Sequence, residues 1–274
     1  MKRSRSWSRT TLHGLLVGYC TLAALPFLWM VFASLKTVRE TFAEPFSLPA
    51  TPQWQNYAEA WSQGLSQYLF NSALVTVIAV VLIVAVGGMA AYALARLRFP
   101  GRTGIYLFLI VGYAIPAYAV LVPLYELLQT LGLLNTYVGL IGSYVAFGIP
   151  FSVLLLYVYF RDFPRELEEA ARLDGCTYWQ LLLWVFAPLS RPALLSVALF
   201  QGIFIFNEFL LALIIISDDA LKTVPLGLLA FRGEFAVDWP LLLAALTITT
   251  VPFLLLFLAM QKYFYNSLTG FSKG

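Results

Sequence analysis

The stretch RELEEAARLDGCTYWQLLLWVFAPLSRPAL, Arg165 to Leu194, begins with charge in a chain that has little of it. Over 274 residues the sequence is 61% hydrophobic and 11% charged, against the roughly one quarter charged that is usual for soluble domains. Yet Asp162, Glu166, Glu168, Glu169 and Asp174, out of 14 acidic residues in all, crowd the start of this stretch. A lipid-embedded helix has no use for them, so something outside the bilayer is expected to engage them.

On either side the chain is apolar, with a mean hydropathy of +0.81. Six runs are long enough for the roughly 20 residues that a helix needs to cross a hydrocarbon core: 12–34, 69–95, 104–128, 136–160, 192–216 and 239–262. The runs are continuous, not alternating, which excludes a membrane barrel. Of 17 basic residues all but four (Lys36, Arg39, Lys222 and Arg232) fall in segments on the same side as the quoted stretch. The positive-inside rule then places both termini in the cytoplasm of a multi-pass inner-membrane protein. The expected organisation is a cytoplasmic N-terminus over 1–11, a six-span domain over 12–262 with an inner loop at 161–191, and a cytoplasmic tail over 263–274. A cleaved signal peptide fits less well, because the first apolar run exceeds the usual core length and lacks a small-x-small exit. Cys20 and Cys176 fall on a span and on the inner side, so neither a disulfide nor a metal set follows. The basic residues sit in threes and fours beside spans, which excludes a nucleic-acid surface.

The stretch itself reads as two short helices with a hinge. Pro164 suits a first helical turn, and the glutamates favour the positive end of the helix dipole as Arg172 favours the other. Gly175 supplies a left-handed stop. Thr177 and Gln180 have the spacing of a capping box for a second helix, whose Leu181, Leu182, Trp184, Val185 and Phe186 are expected at the membrane face. In the first helix Leu167, Ala170, Ala171 and Asp174 fall on one narrow face with small residues at its middle. Acids outnumber bases there, which argues against anionic lipid as the main partner.

Within the spans, Glu208 counts to about two-thirds of the way across the fifth run at 1.5 Å per residue. A charge at that depth costs about 2.5–3.5 kcal/mol on insertion scales and is expected to face the bundle interior or water. Gln201 lies one heptad earlier, with Asn207 close by, and Asn71 and Ser72 open the second span. Asn71, Gln201, Asn207 and Glu208 are the candidate translocation-pathway residues. For Glu208 a purely structural bond across helices remains the alternative. Gly87, Ala91 and Ala95, spaced by four, permit close approach of another helix. Pro26, Pro116, Gly148 with Pro150, and Pro252 fall near mid-span, which suits a transport path and equally the ordinary enrichment of these residues in membrane helices.

At EAARLDGCTYWQLLLWVFAPLSRP the chain resembles the EAA loop of ABC importer permeases, closely through Gly175 and less so after it. LFNSALVTV, IPAYAVLVPLYELLQTLGLLNTYVGLI, FNEFLLAL and the tail NSLTGFSKG are similar to the carbohydrate, maltose-type branch. The resemblance implies an all-α membrane fold of six transmembrane helices with a cytoplasmic coupling helix. It implies that Glu169, Ala170, Ala171, Leu173, Asp174 and Gly175 dock into an ATPase, with Thr269, Gly270 and Lys273 of the tail as a further contact. The implied partners are a second homologous permease forming a heterodimer, two cytoplasmic ABC ATPase subunits, an extracytoplasmic solute-binding protein and membrane lipid. No cofactor is expected in this chain; ATP and magnesium belong to the partner ATPase. The implied cargo is a sugar or oligosaccharide, with glycerol phosphate or a polyol as the alternative.

None of the five lysines follows a glycine, so no phosphate-binding GxxxxGK[ST] loop exists, and His13 is the lone histidine. The chain is therefore expected not to be an enzyme. A proton-coupled secondary carrier using Glu208 is the rival class, weakened because no internal repeat is visible.

Overall fold

The computed structural model describes residues 4–231 and 237–270, with side chains from residue 11 onward and only in part beyond residue 252. The chain forms two compact units, one holding the residues up to Ser66 with Leu228–Leu254, the other Gln67–Gly227 with the residues from Leu255.

In the first unit, α1 (Ser4–Ser34) is apolar over most of its length from Leu12 onward, and Leu15, Tyr19 and Leu22 are exposed as suits a lipid-facing helix. The following loop is polar but tightly tied. Lys36 is 1% exposed, and its Nζ donates to the carbonyl oxygens of Glu44 at 2.7 Å and Pro45 at 3.3 Å and to Ser47 Oγ at 3.3 Å. A buried ammonium of this kind is tolerable because its donors are used. Between those contacts α2 (Val38–Ala43) starts with a capping box, in which Thr37 Oγ1 accepts from the Glu40 N–H and Glu40 Oε2 accepts from the Thr37 N–H at 2.9 Å. The Thr37 backbone and side-chain donors hold the Glu40 carboxyl below the usual carboxylate range. Next comes α3 (Gln55–Ala60), followed by a π turn at Trp61–Leu65 where Gly64 takes a φ of 102°.

The second unit is organised along α4 (Ser66–Arg96) and α7 (Tyr137–Arg161). Gly87 is needed between them: a Cβ built there would lie 3.0 Å from Ser152 Cβ, so the small-residue stripe serves close packing of these two helices. The third expected span is broken. The segments α5 (Arg102–Ala114) and α6 (Leu121–Thr130, entered through a 3₁₀ turn at Ala117–Val120) meet at 94° around Ile115 and Pro116. Pro116 sits at the break because it lacks the N–H that would continue the helix. Pro26, Pro150 and Pro252 instead lie inside continuous helices.

After α7 come α8 (Arg165–Leu173) and α9 (Tyr178–Leu189), and α9 turns through 77° at Ser190 into α10 (Arg191–Phe206). The fifth expected span therefore ends at Phe206; a short α11 (Leu210–Ile215) follows a three-residue interruption. Beyond it lie α12 (Val224–Gly227) and α13 (Trp239–Gly270), the latter continuing past the expected end of the sixth run at 262. Among the described residues three helices are long and apolar enough to cross a membrane as they stand, or five when each bent pair is taken as one crossing; Trp239–Pro252 is a shorter apolar helix.

Candidate functional site

At the Arg96 end of α4, an apolar cluster of Tyr92, Leu156, Phe160, Leu181, Phe186 and Val197 joins α4, α7, α9 and α10. Leu181 and Phe186 are fully buried and Leu182 nearly so, whereas Leu183 and Trp184 are exposed. The sequence expectation that Leu181, Leu182 and Phe186 face the membrane is thus corrected: the π turn over Leu181–Phe186 rotates them into the cluster.

On this cluster rests α8. It has no buried residue, and its C-terminus is a Schellman turn: the Cys176 N–H donates to the Ala171 carbonyl and the Gly175 N–H to the Arg172 carbonyl, both at 3.0 Å, with Gly175 at φ 84°. That conformation disfavours any side chain with a Cβ. The expected four-residue face is divided. Ala171 packs against the cluster with Phe163 and Cys176, while Leu167, Glu169, Ala170, Leu173, Asp174 and Gly175 are exposed, Leu173 by 89%. Beyond the hinge the capping box forms as expected, with the Thr177 N–H donating to Gln180 Oε1 at 2.8 Å.

Sequence reasoning overlooked what holds α8 in place. The Arg96 side chain is 6% exposed, with its guanidinium 5.3 Å from the centre of the Phe186 ring. It donates to the Phe160 carbonyl at 2.9 Å and to the Phe163 carbonyl, and pairs with Glu168 Oε2 at 3.5 Å. Glu168 is also bonded by Arg172 at 2.7 Å. In the sequence Arg96 is one of several arginines beside a span and carries only a topological signal.

Toward the other end of α4, Asn71 is fully buried and its amide is completely engaged. Its Nδ2 donates to the carbonyls of Ala220 at 2.8 Å and Lys222 at 2.9 Å, and its Oδ1 accepts from Tyr137 Oη at 2.7 Å and Gln67 Nε2 at 2.9 Å. Beside it Ser72 Oγ accepts from the Val224 N–H at 2.7 Å. Asn135, at φ 56°, adds a second clamp: its Oδ1 accepts from the N–H groups of Ser217 and Asp218 at 3.0 and 2.9 Å. Asn is among the few residues that tolerate this backbone conformation, a signal available in LLNTYVG.

Between these ends lies a cavity of about 720 Å³, lined by the α5–α6 break, α7, α10 and the interruption before α11. Tyr113, Tyr118, Phe151, Phe200 and Phe204 give it aromatic walls, and among the described residues Glu208 is its one charged lining residue. Gln201 and Glu208 both reach it; Asn71 and Asn207 do not line it, and Asn207 Nδ2 donates back to the Ile203 carbonyl at 2.8 Å. The heptad relation between Gln201 and Glu208 does not operate, because α10 stops at Phe206 and Glu208 lies in the interruption, not in a helix interior. There its carboxylate accepts from the Leu211 N–H at 2.8 Å, the Ala212 N–H at 3.2 Å and Tyr144 Oη at 2.9 Å. It caps α11 and ties it to α7, so the cross-helix structural role weighed for it is present geometrically. Gln201 Nε2 donates to the Gly148 carbonyl at 3.1 Å. Thr269 and Gly270 have no described side-chain surroundings, and Lys273 lies outside the described residues.

The model of the family described as "Binding-protein-dependent transport system inner membrane component" matches residues 83–270. The chain is 40% identical over 276 residues to a probable ABC transporter permease protein of Bacillus subtilis (strain 168), covering 100% of this chain and 92% of the relative. It is 37% identical over 260 residues to a diacetylchitobiose uptake system permease protein of Streptomyces coelicolor, covering 94% and 86%. Its fold is similar to a chain of a bacterial ABC transporter involved in the import of the acidic polysaccharide alginate, with a TM-score of 0.83 at 23% identity over 96% of this chain and 99% of that one. With the matched segment running from mid-α4 through the α8 hinge and the Glu208 interruption to the end of α13, the chain belongs to the family of binding-protein-dependent transport system inner membrane components.

Proposed function

We propose that this chain is the permease subunit of an ATP-driven importer carrying a neutral sugar or oligosaccharide inward, with α8 and both termini in the cytoplasm. The observation that carries the reading is α8 itself, a nine-residue helix with no buried residue and an apolar Leu173 standing 89% exposed beside Glu169, Ala170 and Asp174. Leu167, Ala170 and Leu173, spaced by three and all exposed, form a short apolar stripe along this charged helix of the kind that a protein groove takes. The groove belongs to one of two cytoplasmic ATPase subunits, which carry the ATP and magnesium; Thr269, Gly270 and Lys273 of the tail make a further contact with it. A second homologous permease completes the pathway, and an extracytoplasmic solute-binding protein delivers the cargo. ATP-driven closure of the ATPases shifts the spans only if they hold α8 differently in their two states.

The cavity supports a neutral cargo. Aromatic walls with a few fixed polar groups suit a polyhydroxylated ligand, and among the described residues its lining offers no cation to a glycerol phosphate. The diacetylchitobiose relative points the same way. For the rival proton carrier, Glu208 is poorly placed, since three donors already hold its carboxylate. Uptake of labelled diacetylchitobiose, trehalose and maltose into proteoliposomes distinguishes the two. With the ATPase, the partner permease, the binding protein and ATP, uptake of at least one is expected; a proton gradient alone is expected to give none. Uptake driven by that gradient without ATP would overturn the reading.

A further inference from the structure

We infer that Arg96 is the joint through which displacement of α8 reaches the membrane helices, a positioning residue whose single guanidinium fastens four segments together. The inference rests on the proposed docking of α8 and adds the path that its motion takes. Arg96 is the last residue of α4. Its side chain bonds the Phe160 carbonyl in the last turn of α7 and the Phe163 carbonyl just beyond it, pairs with Glu168 of α8 and lies over Phe186 of α9.

Two features make this more than a local staple. First, Glu168 is the acid of α8 that points inward, its side chain 12% exposed, while Glu166 and Glu169 are exposed. Among the described residues its ion-pair partners are Arg96 and Arg172, and Arg172 rides on α8 itself. A force that shifts α8 reaches α7 along the chain and meets α4 through Arg96. Second, the pair is largely removed from water, where separating a charge from its partner is strongly unfavourable. The joint is thus expected to stay closed and move as a unit. A planar five-donor fork serves such a junction as a lysine ammonium does not.

The test uses the full complex of permeases, ATPases and binding protein in proteoliposomes. Arg96→Met keeps the stem over Phe186 and removes every donor; Glu168→Gln removes the charge on α8. Both are expected to co-purify with the ATPase and hydrolyse ATP, while cargo imported per ATP falls roughly 5–150-fold, the usual range of an inter-site coupling. The double variant is expected to be no worse than either single one, since both break one joint. An unchanged import ratio in either assembled variant overturns the inference. Loss of ATPase co-purification from the unsubstituted complex would overturn the docking reading instead.

Should the variants fail to assemble, spin labels on the otherwise unsubstituted joint decide the matter. Glu166→Cys on α8 and Arg98→Cys two residues beyond the end of α4, both exposed and neither among the residues placed against the ATPase, are labelled with Cys20→Ser and Cys176→Ser in the background. Their separation is expected to be the same with and without ATP. A shift of that separation on ATP binding would show α8 moving apart from α4 and would overturn the inference.

Discussion

The two ends of α4 solve the same problem with different chemistry. Near Ser66, neutral groups do the holding: Asn71, Ser72 and Asn135 bond backbone atoms spread from Ser217 to Val224, and Asn71 is fully buried. At Arg96, a charged group holds a helix that is mostly turned to solvent, with Ala171 alone of its apolar residues packed on the cluster. Many neutral bonds to successive peptide groups leave the 217–224 segment one place to be. One ionic junction to an exposed helix leaves that helix free to be gripped from outside while its motion stays attached to the spans. The first arrangement fixes a surface; the second suits a lever.

That contrast is most sharply broken at the lever. Gly175→Val forces a Cβ into a left-handed conformation costing about 1–2 kcal/mol, and Ala170→Glu places bulk and charge where a groove is expected to close. For both, transport is expected to fall at least tenfold while membrane insertion persists, checked by uptake and by protease mapping. Normal uptake in both would remove α8 from the coupling path.

At the opposite end, Asn71→Leu strands the Ala220 and Lys222 carbonyls and the Tyr137 hydroxyl. An unsatisfied buried group costs about 1–3 kcal/mol, so hydrogen exchange over 217–224 is expected to accelerate at least tenfold while ATPase co-purification is unaffected. Unchanged exchange would show that the clamp is redundant.

Glu208→Ala removes the cap of α11 at about 0.5–2 kcal/mol and is expected to lower uptake several-fold without weakening ATPase capture. Glu208→Gln, which keeps an acceptor, is expected to retain more uptake than alanine. If alanine and glutamine were equally inactive, the charge itself, not the cap, would be what transport requires.

The smallest effect belongs to the loop before α3. The Glu40 carboxyl is held below its usual range by Thr37, so its contribution is present above the unfolded value, about 4.3 for a glutamate, and is lost as pH falls through the depressed folded one. Proteolysis over 37–44, the capped α2 turn, is expected to rise only at strongly acidic pH, and Thr37→Ala is expected to move that onset toward neutrality.

The fold was legible where sequence and local geometry coincide. Gly175 demanded a left-handed stop, Thr177 and Gln180 a capping box, and Gly87 a close neighbour; each depends on a few adjacent residues and each is found. Continuous apolar runs announced membrane helices but not where they break. Pro116 and Pro150 are alike in sequence, and only packing makes the first a 94° bend and leaves the second inside α7. The inward turn of Leu181 and Phe186 depended on a π turn that shifts the register of their faces, which a regular helical count cannot anticipate. Arg96 and Glu168 were hidden for a different reason: they are 72 positions apart by number, and charge beside a span reads as topology until the fold brings the two together.

The claim beneath all of this is that α8 is held by a protein. A photoreactive amino acid at Ala170, an exposed position, in the assembled transporter tests it directly. The ATPase subunit is expected as the captured species, with a yield that changes when ATP is bound. Capture of phospholipid alone, in the presence and absence of nucleotide, would contradict the account.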